Sequence, residues 1–223
     1  MNMHEQTIDE CVFDFIYEIA LNDATNRVSE EGDKARILEN EDIKKAVKEY
    51  KTNILNATAV YNNLFCETVE KIRVANERRG KGNKVENLTF GKIQKLINMT
   101  MKYVYIEYFR SSDKKKPNFA ICHAPMDSIM RDFVFVSHNI VRGKSLENKE
   151  NPGFTRDCSW SKLPAMEGPY QNFQEAIDSI IEVKNLGINR IEFDYLFWDK
   201  ARALQGKRLN EQWTKAEEIW REY

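Results

Sequence analysis

EDIKKAVKEYKTNILNATAVYNNLFCETVEKIRVAN, residues Glu41 to Asn76, is the stretch from which the fold is read. Ile43, Val47, Tyr50, Ile54, Ala57, Tyr61 and Leu64 alternate steps of four and three, the spacing that keeps an apolar stripe on one side of an α-helix. No proline or glycine interrupts it. A single helix over 41–76 would run about 54 Å, too long for a small compact domain unless it packs lengthwise against other helices. The expectation is an all-α protein, a helical bundle or an antiparallel pair built around this long helix.

The prolines extend that reading outward. All five, Pro117, Pro125, Pro152, Pro164 and Pro169, fall in the middle of the chain. A proline inside a helix removes a donor and clashes with the preceding turn, so both proline-free ends read as helical and the middle as irregular. Upstream, a helix is expected over Ile8–Leu21, with Cys11, Phe15, Ile16, Ile19 and Ala20 along one side and a solvated acidic stripe of Glu10, Asp14 and Glu18 along the other. Downstream, Thr89 is a plausible N-cap for a helix to about Phe109, whose Ile93, Leu96, Ile97, Met101 and Val104 lie opposite a polar arc of Gln94, Lys95, Asn98 and Lys102.

Pro125 suits the first position of a helix to about Val141, although Phe133–Val136 is β-prone. Residues 143–169 form a loop-rich segment. Helices return over Tyr170–Leu186, ending at Gly187, and again after Asn189, whose spacing to Glu192 is that of a capping box. Asn210 caps the last helix. Residues 1–142 thus read as a helical bundle carrying a basic segment at 71–118, and 143–223 as a loop-rich connection and C-terminal helices packing on the same core.

With 42% apolar residues in 223, the chain can bury an ordinary core. Its apolar runs are only a few residues long, far short of a bilayer span. The N-terminal residues are acidic and polar rather than basic and then apolar, so a cytoplasmic location is expected. Cys11, Cys66, Cys122 and Cys158 are isolated and read as reduced thiols, not a zinc ribbon or disulfide scaffold. No metal and no cofactor are expected.

The net charge of −1 hides a segregation: residues 1–50 hold 6 Lys+Arg against 13 Asp+Glu, whereas residues 71–118 hold 13 against 4. Such polarity fits either a face for a polyanion or two segments that neutralise each other. Arg78, Arg79, Lys81, Lys84, Lys95, Lys102, Lys114, Lys115 and Lys116, with Asn98 on the same polar arc and Tyr103, Tyr105 and Tyr108 interleaved, combine phosphate neutralisation with aromatic stacking.

Arg131 and His138 have six residues between them, with Asp132 beside the arginine. This resembles the Arg-to-His signature of the HEPN ribonuclease families, which are all-helical and usually dimeric and cleave RNA without metal. The resemblance implies that His138 is the general acid or base and that Arg131 stabilises the phosphorane. His123 and Asp127 flank Pro125 at a helix start, where an imidazole and a carboxylate suit an acid–base pair or a phosphate contact; the alternative is that Asp127 stabilises the first turn and His123 packs.

The leading expectation is a small intracellular interaction protein, of bacterial or mobile-element type, engaging nucleic acid or a nucleic-acid-bound protein complex through the basic segment. The rivals are a metal-independent HEPN-like endoribonuclease, as a toxin or defence effector, and a structural subunit that forms a homodimer or larger oligomer.

Overall fold

The computed structural model describes residues 7–25, 37–56, 63–79, 88–110 and 118–223, with the side chains of Arg78, Arg79 and Arg110 left aside. The protein is all-helical: the described residues form eight α-helices and no strand. These are α1 (Ile8–Thr25), α2 (Glu41–Asn56), α3 (Leu64–Arg79), α4 (Phe90–Arg110), α5 (Ser128–Val141), α6 (Pro169–Val183), α7 (Arg190–Leu204) and α8 (Leu209–Arg221). No helix among them is long and apolar enough to cross a membrane. The chain divides into two compact units, Met1–Leu88 with Lys92–Ile121, and Thr89–Gly91 with Cys122–Tyr223. α5 falls in the second unit, with the C-terminal helices against which it packs.

In the first unit the expected long helix is two helices packed on each other. A continuous helix would hold Glu49 and Lys71 about 33 Å apart. Instead, Lys71 Nζ lies 2.8 Å from Glu49 Oε2, and the rings of Tyr50 and Phe65 meet edge to face at 6.3 Å. The seam residues do face a core, since Ile43, Val47, Tyr50, Ile54 and Leu64 are all buried. A four-three seam is equally the pattern of one long helix or of two shorter helices that bury each other. Of that seam, Ala57 and Tyr61 lie outside the described residues.

Helix α1 is rotated from its expected setting. Phe13, Ile16, Tyr17, Ala20, Leu21 and Ala24 are buried, while Cys11 and Phe15 are exposed. The acidic stripe, expected to be solvated, turns in part toward α2: Asp14 Oδ1 lies 2.7 Å from Lys44 Nζ and Glu10 Oε1 lies 3.2 Å from Lys48 Nζ. Apolar residues occur nearly all round this helix, so periodicity alone does not select its inner side; the bulkier Phe13 and Tyr17 take it.

In the second unit α5 is the centre, packing against α6, α7 and α8. Asp127 caps it, accepting from the backbone N–H groups of Ile129 and Met130 at 2.9 Å each. The helix therefore begins after Pro125 rather than on it. The β-prone stretch Phe133–Val136 is helical and wholly buried, because neighbours cover α5 on several sides and burial overrides local propensity. Phe133 stacks on Phe197 at 5.6 Å and on Trp220 at 6.1 Å.

Residues 143–169 are loop-rich as expected, and side-chain amides bind their backbone. Asn139 accepts from Glu150 N at 2.6 Å and donates to Glu150 O at 3.1 Å; Asn172 Nδ2 donates to Gly153 O at 3.1 Å. Gln174 makes the same two-way bond to the backbone N and O of Ala124, at 3.0 and 2.8 Å. Phe154, from the loop, meets Phe135 and Phe173 edge to face. Gly91 opens α4 where a Cβ would stand 1.8 Å from the Trp160 carbonyl oxygen, so only glycine admits this approach. The capping box at Asn189 and Glu192 forms, with Gly187 before it at φ 64°, whereas the last helix is capped at Arg208 rather than Asn210.

Two measurements check this arrangement. Spin labels replacing Glu49 and Lys71 should report a separation far below the roughly 33 Å of a continuous helix. Ile54→Ala and Leu64→Ala should each cost about 2–5 kcal/mol in urea unfolding, since both side chains are buried.

Candidate functional site

The geometry around α5 decides what the Arg131 and His138 pair offers. Seven residues is nearly two helical turns, so both side chains project from one side of α5, about 10 Å apart along its axis. Arg131 is buried, and its guanidinium is occupied. Nε and Nη2 donate to Asp132 Oδ1 at 3.0 and 2.7 Å, and Nη1 donates to the carbonyl of Cys158. Asp132 is shared with Arg156, whose Nη2 is 3.7 Å from Oδ2. Asp132 was legible as Arg131's neighbour in sequence; Cys158 and Arg156, brought by the loop, left no local signal.

Arg131 and Asp132 line an open cleft of about 680 Å³ with Lys149, Glu150, Arg156 and Asp157. Three cations face three carboxylates there, so the cleft carries no net charge to draw in a phosphate. His138 is half-buried, and its Nδ1 is buried without a hydrogen-bond partner. Burial, reinforced by Arg142 and opposed by Glu150, holds its imidazole below the ordinary histidine range. It is neutral at pH 7, the state a proton acceptor requires.

The second candidate pair serves the fold. Asp127 is the N-cap described above. His123, buried, has its Nδ1 2.9 Å from the Tyr170 hydroxyl. Burial, with Arg190 adding like charge, pushes this imidazole down to about 3. Its burial and its contact with the Tyr170 hydroxyl make this ring a hydrogen-bonded group of the core.

The cationic segment is only partly in view. Lys81, Lys84, Lys114, Lys115 and Lys116 lie outside the described residues, as do the side chains of Arg78 and Arg79. On α4 the arc expected to face solvent is largely internal: Asn98 and Lys102 are buried, with Gln94 and Lys92, and Lys95 is half-buried. Asn98 Nδ2 donates to Gln94 Oε1 at 3.0 Å. Periodicity marks which arc of a helix is apolar, not how many of its sides are covered. The tyrosines are engaged too. Tyr103 donates to Asp23 at 2.6 Å, and Tyr105 and Tyr108 pack on the Phe119 ring at 5.0 and 5.6 Å. The acidic N-terminal region is neutralised in part by its own Lys44 and Lys48 and through Glu49 by Lys71.

Among the described residues no group of three or more His, Cys, Asp or Glu side chains is placed to hold a metal ion. No protein-family model, curated protein or solved structure matches the chain.

His123 gives the site a pH signature. In the unfolded chain its ring takes a proton as pH falls through 6.5, whereas in the folded protein it resists until about 3. The unfolded state then binds more protons, so stability is full above pH 6.5 and is lost as pH falls toward 3. His123→Gln should flatten the fall in unfolding free energy between pH 7 and about 5, above the range where carboxylates dominate. Parallel curves for the two proteins would show that His123 is not the group responsible.

Proposed function

We propose that this protein is a binding protein that engages nucleic acid, or a complex carrying it, through the cationic segments at the two ends of α4. The observation that carries the reading is the balance of 13 Lys+Arg against 4 Asp+Glu in residues 71–118. With Asn98 and Lys102 buried, the contact falls to Arg78, Arg79, Lys81 and Lys84 on one side and to Lys114, Lys115 and Lys116 on the other.

Against the ribonuclease reading stands the occupied guanidinium of Arg131; for it stands the neutral, half-buried imidazole of His138. One assay tests both. If six phosphates are neutralised, a labelled duplex should bind with a slope near −5 in log K against log salt, at about 0.9 per phosphate, and a single strand with a slope near −4, at about 0.7. Replacing Arg78, Arg79, Lys81 and Lys84 by Ala should reduce the duplex slope by up to about 3.6, and also replacing Lys114, Lys115 and Lys116 should abolish binding. No binding at low salt, or a slope indifferent to these changes, overturns the proposal. Cleavage of RNA in EDTA that is lost in His138→Ala would instead make the protein an enzyme.

A further inference from the structure

We propose that the outer face of α1 is a docking surface for a cationic amphipathic helix of a protein partner. Ile8 is 81% exposed and Phe15 66%, Cys11 is exposed, and Val12 and Ile19 are half-buried. Ile8, Val12, Phe15 and Ile19 follow steps of four, three and four, so they form one stripe along the helix. The opposite side of α1 already contributes Phe13, Ile16, Tyr17, Ala20 and Leu21 to the core. Single exposed apolar residues are ordinary, but a helical stripe of them beside a filled core is the pattern by which one helix receives another.

Charge selects the occupant. Asp9, Glu10, Asp14, Glu18 and Asp23 lie on α1, which has no lysine or arginine. Glu10 and Asp14 are held by Lys48 and Lys44, Asp23 accepts from Tyr103 and Asp9 lies within electrostatic reach of Lys51, whereas Glu18 is exposed. A second copy docking through the same face would set one row of carboxylates against another with no cation on either helix. An anionic lipid surface would be repelled in the same way. A helix with an apolar stripe flanked by Lys or Arg meets both the stripe and the carboxylates. This surface is independent of the nucleic-acid reading.

The probe is a fluorescein-labelled Leu/Lys peptide of the same length as α1, 18 residues, with its leucines at helical spacing, beside a scrambled isomer of equal charge. Anisotropy should show the amphipathic peptide binding at least tenfold more tightly than the isomer, and Ile8→Ser with Phe15→Ser should remove that preference. Both side chains are exposed, so the thermal midpoint and oligonucleotide binding of the variant should be unchanged. Equal binding of the two peptides, or a preference that survives in the variant, overturns the proposal. Self-association of the protein alone that the double variant abolishes would assign the face to a second copy and overturn it equally.

Discussion

Burial of α5 is the constraint from which the second unit follows. A helix with Met130, Phe133, Val134, Phe135 and Val136 all out of water needs cover on more sides than one neighbour supplies. Three helices and the loop segment 143–169 provide it. The loop has backbone donors and acceptors of its own, and a buried polar group left unbonded costs about 1–3 kcal/mol. Asn139 meets part of that demand at the Glu150 backbone and Asn172 adds an exposed bond at Gly153, while Gln174 does the same for the Ala124 backbone ahead of α5. Arg131 belongs to the same arrangement, with its guanidinium bound to Asp132 and to the Cys158 carbonyl. A residue that resembles a catalytic group by spacing is, by its bonds, part of what fastens the loop to the helix.

The charge of the chain is handled differently in its two segregated regions. On the acidic side, Lys44 and Lys48 pair with carboxylates of α1 from within residues 1–50 and leave the excess as counted, whereas Lys71 comes from the basic segment and offsets one charge of it through Glu49. On the basic side, α4 withdraws Lys92 and Lys102 from water and its tyrosines bond to Asp23 and pack on Phe119. The proposed polyanion contact therefore rests on the cationic residues that flank this helix in sequence. The outer face of α1 keeps apolar side chains and carboxylates together in solvent, which calls for a different chemistry of partner. The two proposals therefore invoke partners of opposite charge.

Features fixed by neighbours in sequence were legible from it. The capping box at Asn189 and Glu192, the left-handed Gly187, the irregular stretch 143–169 and the all-helical class each depend on local backbone preference and on apolar spacing within one element. The seam of residues 41–64 was legible as a buried stripe, but not the reversal between Asn56 and Leu64, since one helix and two carry the same four-three pattern. The rotation of α1, the burial of Asn98 and Lys102, the bonding of Arg131 and the partnership of His123 with Tyr170 were decided by tertiary structure alone. Each is a competition among surfaces far apart in the chain. Which face is covered, and which polar group is consumed in covering it, depends on the free energy of the whole packing rather than on the preferences of the residues one by one.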